Sequence, residues 1–145
     1  MKPWFLLALA LAASDAAAAD HVPAHTPLRP ISACLRVDRI NELYIIDDRT
    51  AIVRTGPMRY RVDLQSRCPR LGLGPAGLIF RANPSNQAVG DNRICGEVGE
   101  TVRSLHQPPC AIQSVQPIDK ATFDRLSAKA RRHGSAADQP THMKP

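Results

Sequence analysis

The chain has 145 residues, 43% of them apolar, enough for one small domain and too few for two. Lys and Arg number 19 against 13 Asp and Glu, a formal net charge of +6, and fifteen of those cations are Arg. Thirteen Pro and eight Gly argue against a helical bundle or coiled coil, and the four aromatics beyond residue 19, Tyr44, Tyr60, Phe80 and Phe123, weaken any binding mode built on aromatic platforms.

In chain order, residues 1–19 read as a secretory signal. Lys2 is a short basic start, residues 4–13 are apolar, and Ala17, Ala18 and Ala19 are the small residues a signal peptidase needs. The apolar run falls short of the roughly 20 residues that cross a bilayer. An exported protein of the periplasm or the medium is expected. Residues 20–30 contain Pro23, Pro27 and Pro30 and read as an extended Pro-rich linker. Cleavage after Ala18 would place His21 third, where the amine, two amides and the imidazole form a square-planar nitrogen set for Cu(II) or Ni(II). Cleavage after Ala19 would not, and no cofactor is otherwise expected.

Residues 31–131 form the expected domain. Residues 34–40 read as a first strand. Residues 43–46 and 50–54 flank Asp47, Asp48 and Arg49, a hairpin with polar turn residues, and Thr55, Gly56 and Pro57 make the next turn. In residues 58–64, Met58, Tyr60, Val62 and Leu64 alternate with Arg59, Arg61 and Asp63, which predicts a half-buried strand with the first set inward. Residues 71–77 are glycine-rich, 78–81 a short strand, and 82–92 a polar loop. Strands are expected at 94–95, 101–105 and 110–118, with Pro117 at an edge or end. Asp119 caps a predicted helix over 119–131 that aligns Phe123, Leu126 and Ala130, and residues 132–145 read as a disordered tail. The fold class is mainly β: a small antiparallel sheet or barrel of about six short strands with one C-terminal α-helix, stabilised by disulfides.

Export makes Cys34, Cys68, Cys95 and Cys110 two disulfides, since no two lie closer than fifteen positions and zinc sites bring close pairs. Spacing leaves three pairings open. The expected pairing is Cys34 with Cys110, which open strands near the two ends of the domain, and Cys68 with Cys95, which close the glycine-rich excursion between them.

Cys34 with Arg36 and Ile40, the run Asp47, Asp48, Arg49, Thr50, then Gly56 and Tyr60 carry a family resemblance. So do Cys68, Pro69, Arg70 and Leu71, then Cys95 with Gly96, and the run from Cys110 through Ala111, Ile112, Gln113 and Ser114 to Val115. Together they resemble a family of small, exported, uncharacterised proteins of Gram-negative bacteria, a domain of unknown function, over residues 31–126. The resemblance implies an exported disulfide-containing domain and brings no activity, so it carries no catalytic residues over.

Gly72, Gly74 and Gly77 match the letters of the dinucleotide motif, but Pro75 removes an amide and a strand rather than a helix is expected after Gly77. No dinucleotide is expected. Arg54, Arg59, Arg61, Arg67 and Arg70 are the candidate site for an anionic envelope partner, because guanidinium groups fork onto phosphate or carboxylate. A solvated basic face explains the same residues. Nucleic acid is disfavoured, since the one aromatic among them, Tyr60, points inward. Asp47 and Asp48 read as turn residues, Glu97 and Glu100 as a shared surface pair, and His106 as the lone histidine of the domain. The reading that results is a non-enzymatic binding or structural protein of the cell envelope. An inhibitor of a secreted hydrolase presenting residues 82–92 is the alternative, and a small hydrolase using His106 the third.

Overall fold

A computed structural model describes residues 24–72 and 77–132, the last two without their side chains. The signal segment, His21, Gly74, Pro75 and residues 133–145 lie outside the described residues. The described elements are β1 (Leu35–Arg36), β2 (Ile40–Asp47), β3 (Thr50–Thr55), β4 (Met58–Leu64), β5 (Leu78–Arg81), α1 (Pro84–Ala88), β6 (Arg93–Ile94), β7 (Thr101–Ser104), β8 (Cys110–Pro117) and α2 (Lys120–Arg132). Six strands form a curled antiparallel sheet in the order β2-β3-β4-β8-β7-β5, and β1 and β6 form a separate ribbon. β8 joins the halves of the sheet: Ile112 to Pro117 pair with β4, while Cys110 and Ala111 pair with β7.

Turn chemistry sets the first two hairpins. The Asp47 side chain accepts the Arg49 amide at 2.8 Å, an Asx turn that reverses β2 into β3. Gly56, at φ 59, precedes Pro57, whose ring fixes φ near about −65°, in the two-residue pattern of a type II′ hairpin. Directly paired residues share a face. Leu43, Val53 and Tyr60 therefore form one row, and Ile45, Ala51 and Val62 the next. This face meets Leu35, Ile94 and Ile112 in the core. The Tyr60 hydroxyl, at the centre of that core, donates to the Ala33 carbonyl at 2.9 Å.

The opposite face of the same three strands is covered by α2. Asp119 caps the helix through the Thr122 amide at 2.8 Å. Phe123 meets Tyr44 edge to face at 5.9 Å, and the Arg59 guanidinium lies 6.0 Å from the Phe123 ring centroid. Apolar cover on both faces explains why Thr50 to Val53 are buried without alternation. Phe123 and Ala130 are buried and Leu126 partly so, the helix face read from the spacing.

Four expectations need correction. The first strand is broken: a 3-10 turn over Val37–Arg39 separates β1 from β2. Met58 is 41% exposed, because the hairpin end carrying it overhangs the core, whereas Tyr60, Val62 and Leu64 are buried as the alternation requires. Arg59 is half-buried beneath α2 rather than solvated, and its Nε has no hydrogen-bond partner among the described residues. Residues 82–92 are not simply a loop, since α1 forms there, with Asn83 as N-cap accepting the Asn86 amide at 2.9 Å and Pro84 in the first turn.

The disulfides also differ from the expected pairing: Cys34 is bonded to Cys95 and Cys68 to Cys110. The reason is strand order. Cys34 precedes Leu35 and Cys95 follows Ile94, and Leu35 pairs with Ile94, so the two Cα atoms stand 4.7 Å apart. Cys68 follows β4 and Cys110 opens β8, strands paired at Leu64 and Ile112, which leaves those Cα atoms 5.9 Å apart. The first long strand lies at the sheet edge and never meets the last.

Tyr60→Ala should destabilise by about 3–5 kcal/mol, as truncation of a core aromatic does. Tyr60→Phe should cost about 1 kcal/mol, the net value of one hydrogen bond. Arg61→Ala should stay within about 0.5 kcal/mol. Urea unfolding of the three variants checks that order. The bonds from Thr122 hold the Asp119 carboxyl below the usual carboxylate range. Its stabilisation of α2 is therefore complete above the ordinary Asp value and is lost as pH falls through the lowered one. Asp119→Ala should melt earlier than the parent at neutral pH and together with it in strong acid, by thermal circular dichroism.

Candidate functional site

The five arginines singled out in the sequence do not converge. Arg54, Arg59 and Arg61 share the α2 side of the sheet through the β3–β4 register. Arg54 is paired with Glu42 and also donates to the Gly56 carbonyl at 2.9 Å. Arg61 is held by Asp63 at 2.9 Å, and Asp63 also accepts the Thr50 hydroxyl. Arg67, beyond the end of β4, lies 3.7 Å from Asp48 and is largely exposed. Arg70 is exposed at φ 66, with its carbonyl accepting the Ser104 hydroxyl at 3.1 Å. Three of the five thus have carboxylate partners and a fourth lies under the helix. Surface pairs of this kind contribute about 0–1 kcal/mol each, but they occupy the groups that would meet an anion.

A different pair of arginines makes no ion pair among the described residues. β5 and β7 are paired so that Ile79 faces Arg103 and Arg81 faces Thr101. All four belong to the outward face, since Phe80, Val102 and Ser104 are the buried residues of these strands. With Pro109 they line a groove of ≈ 310 Å³. Neither Arg81 nor Arg103 makes an ion pair or a side-chain hydrogen bond with a described residue. The alternation in both strands was the available signal, but the pairing of β5 with β7, two strands later, was not visible in the sequence.

The groove is anchored by residues 95–100. Glu100, read as a surface residue, is 0% exposed. Its carboxylate turns back onto its own backbone and accepts the amides of Cys95 at 2.9 Å, Gly96 at 2.7 Å and Glu97 at 3.0 Å. Gly96, at φ 86, makes the turn possible, and a Cβ there would come within 3.0 Å of the Val115 amide nitrogen in β8. Three successive N–H groups around one anion form a nest, here filled by the protein's own side chain. Burial pushes the Glu100 carboxyl up, and the three N–H bonds oppose that shift. Glu97 is the more accessible acid of the two and binds Arg29 at 2.7 Å, Asn83 at 2.7 Å and Asn86 at 3.2 Å. Two flanking glycines, Gly96 and Gly99, were the sequence signal that the acids sit in a tight turn rather than on an open surface.

The remaining candidates are separate from this cluster. His106 is exposed at φ 62 in the turn after β7. Asp47 serves its turn, as expected. Gly77 leads into β5, a strand and not a helix. Among the described residues, no group of three or more His, Cys, Asp or Glu is arranged to hold a metal ion.

Glu100→Ala would leave three amides unsatisfied and should cost at least about 3 kcal/mol, at about 1–3 kcal/mol for each buried donor. Glu100→Gln sets an amide NH2 against at least one of the same donors and should lie between that variant and the parent. Val98→Ala, at a side chain 72% exposed, should be neutral within about 0.5 kcal/mol. Denaturant midpoints of the three variants decide the matter.

No curated protein matches the chain, and no solved structure does. A family model does match, over residues 2–134, nearly the whole sequence. The chain belongs to that family, a family of unknown function (DUF6491).

Proposed function

We propose that the chain is an exported binding domain of the cell envelope, rigidified by its two disulfides, with an anionic partner and no catalysis of its own. Export rests on the signal-like residues 1–19, and two disulfides suit an oxidising compartment. No helix among the described residues is long and apolar enough to cross a membrane.

The observation that carries the reading is the outward face of β5 and β7. Arg81 and Arg103 stand there together without an acidic partner among the described residues, in a chain of net charge +6. Like charges within reach of one another on a sheet face disfavour the fold, and an external anion relieves that repulsion. Arg70 adds exposed positive charge beyond β4. The whole-molecule charge draws the protein to anionic surfaces, and the exposed guanidinium groups make the contacts. The inhibitor reading is weakened by α1, which ties Asn83 and Asn86 to Glu97 instead of presenting a free loop.

The oxidised protein should sediment with isolated envelope material at low ionic strength. It should be released between about 0.1 and 1 M salt, where the screening length falls from about 10 to about 3 Å. Retention that ignores salt, or no retention at any salt, contradicts the reading.

A further inference from the structure

We infer that the groove on the outward face of β5 and β7 is a site for a phosphomonoester borne on a sugar-sized body, with Arg81 and Arg103 as its anion clamp. The inference rests on the anionic-partner reading and specifies its ligand. Arg81 and Arg103 are diagonal neighbours in the register, since Arg81 faces Thr101 and Arg103 faces Ile79. Diagonal positions on an antiparallel pair lie about 7–8 Å apart, which two long side chains on one face easily span. Their guanidinium groups can therefore close on a single anion, with the Thr101 hydroxyl, directly opposite Arg81, as a third donor.

Three features select the ligand class. Two cations without a carboxylate partner among the described residues match the charge of a phosphomonoester, about −1.5 to −2 at neutral pH, better than the single charge of a carboxylate. Two forked guanidiniums also need more than two acceptor oxygens, and a phosphomonoester offers three terminal ones where a carboxylate offers two. The groove, at ≈ 310 Å³, far exceeds what a bare phosphate needs when one water takes about 30 Å³. Ile79 and Pro109 supply apolar walls for the rest of the ligand. Those walls argue for a body attached to the phosphate, and hence for a phosphorylated sugar of the envelope over free phosphate.

The site is built on a rigid base. The residue before Thr101 is Glu100, fixed by its three amide bonds, and the Glu100 carbonyl accepts the Ile112 amide at 3.0 Å. On the inner face beneath the groove, Ser104 holds the Arg70 carbonyl and the Gly72 amide. Little ordering of the backbone is then required when a ligand binds.

Isothermal titration of the full oxidised chain with glucose 1-phosphate, inorganic phosphate and glucuronate tests the assignment. Glucose 1-phosphate should bind, inorganic phosphate at least fivefold more weakly, and glucuronate more weakly still. Arg81→Gln and Arg103→Gln should each lower glucose 1-phosphate affinity at least tenfold without lowering the thermal midpoint of the free chain, and Arg67→Gln should leave the affinity as it was. Absence of glucose 1-phosphate binding overturns the proposal, as does equal affinity for the three ligands or for parent and groove variants. If the parent and both groove variants sediment equally with envelope in a salt-sensitive way, the groove assignment falls and the anionic-partner reading stands. If the parent does not sediment while glucose 1-phosphate still binds as described, the envelope reading falls and the groove stands.

Discussion

Glu100 accepts three consecutive amides inside the fold, and the segment it closes, residues 95–100, is where the separate layers meet. Cys95 is bonded to Cys34 and so to the β1–β6 ribbon. The Cys95 carbonyl accepts the Leu28 amide at 2.7 Å, which brings residues 24–30 alongside. Glu97 gathers Arg29 and the two asparagines of the α1 region. Gly96 lies against the backbone of β8 closely enough that its hydrogen side chain is needed. A carboxylate in this position is costly to bury alone, and the nest of N–H groups offsets that cost locally. Loss of the carboxylate would loosen four elements together.

The second disulfide complements this arrangement from the other side. Cys68 to Cys110 joins the end of β4 to the start of β8, at the place where β8 passes from one half of the sheet to the other. A disulfide contributes about 2–4 kcal/mol against a typical total of about 5–15 for a domain. In a chain with few large apolar side chains, two such bonds at two junctions matter more than in a larger core. Both junctions border β7, the strand that carries Arg103, so the rigid parts of the fold and the proposed binding face are adjacent.

Much of the sheet could be read from the residues alone. Strict alternation gave β4 and its inward set apart from Met58, where the hairpin end outruns the core. Turn residues placed β2, β3 and β4, and the Asp119 cap with Phe123, Leu126 and Ala130 placed α2. What escaped depends on contacts between distant residues. β1 and β6 are two residues each, too short for any period to show, and their pairing decides the Cys34–Cys95 bond. Arg59 follows the outward period of its strand and still lies half-buried, because a helix more than fifty residues later covers that face. Of the five arginines that cluster in sequence, the fold gives three to carboxylates and puts Arg59 under a helix roof. Arg81 and Arg103, unremarkable in sequence, are brought onto one face by the β5–β7 pairing. The Glu100 turn left only Gly96 and Gly99 as signs, and a side chain bonding its own backbone follows no periodicity.

Amide hydrogen exchange at Cys95, Gly96 and Glu97 tests the central role of this turn most directly. These three amides belong to a segment between strands, where an ordinary surface turn would exchange quickly. If the buried Glu100 carboxylate organises the fold, they should exchange only by global unfolding, with protection equal to that of Val62 and Val115 in the core strands. Exchange of the three at the rate of an open loop, with the strands still protected, would contradict the account.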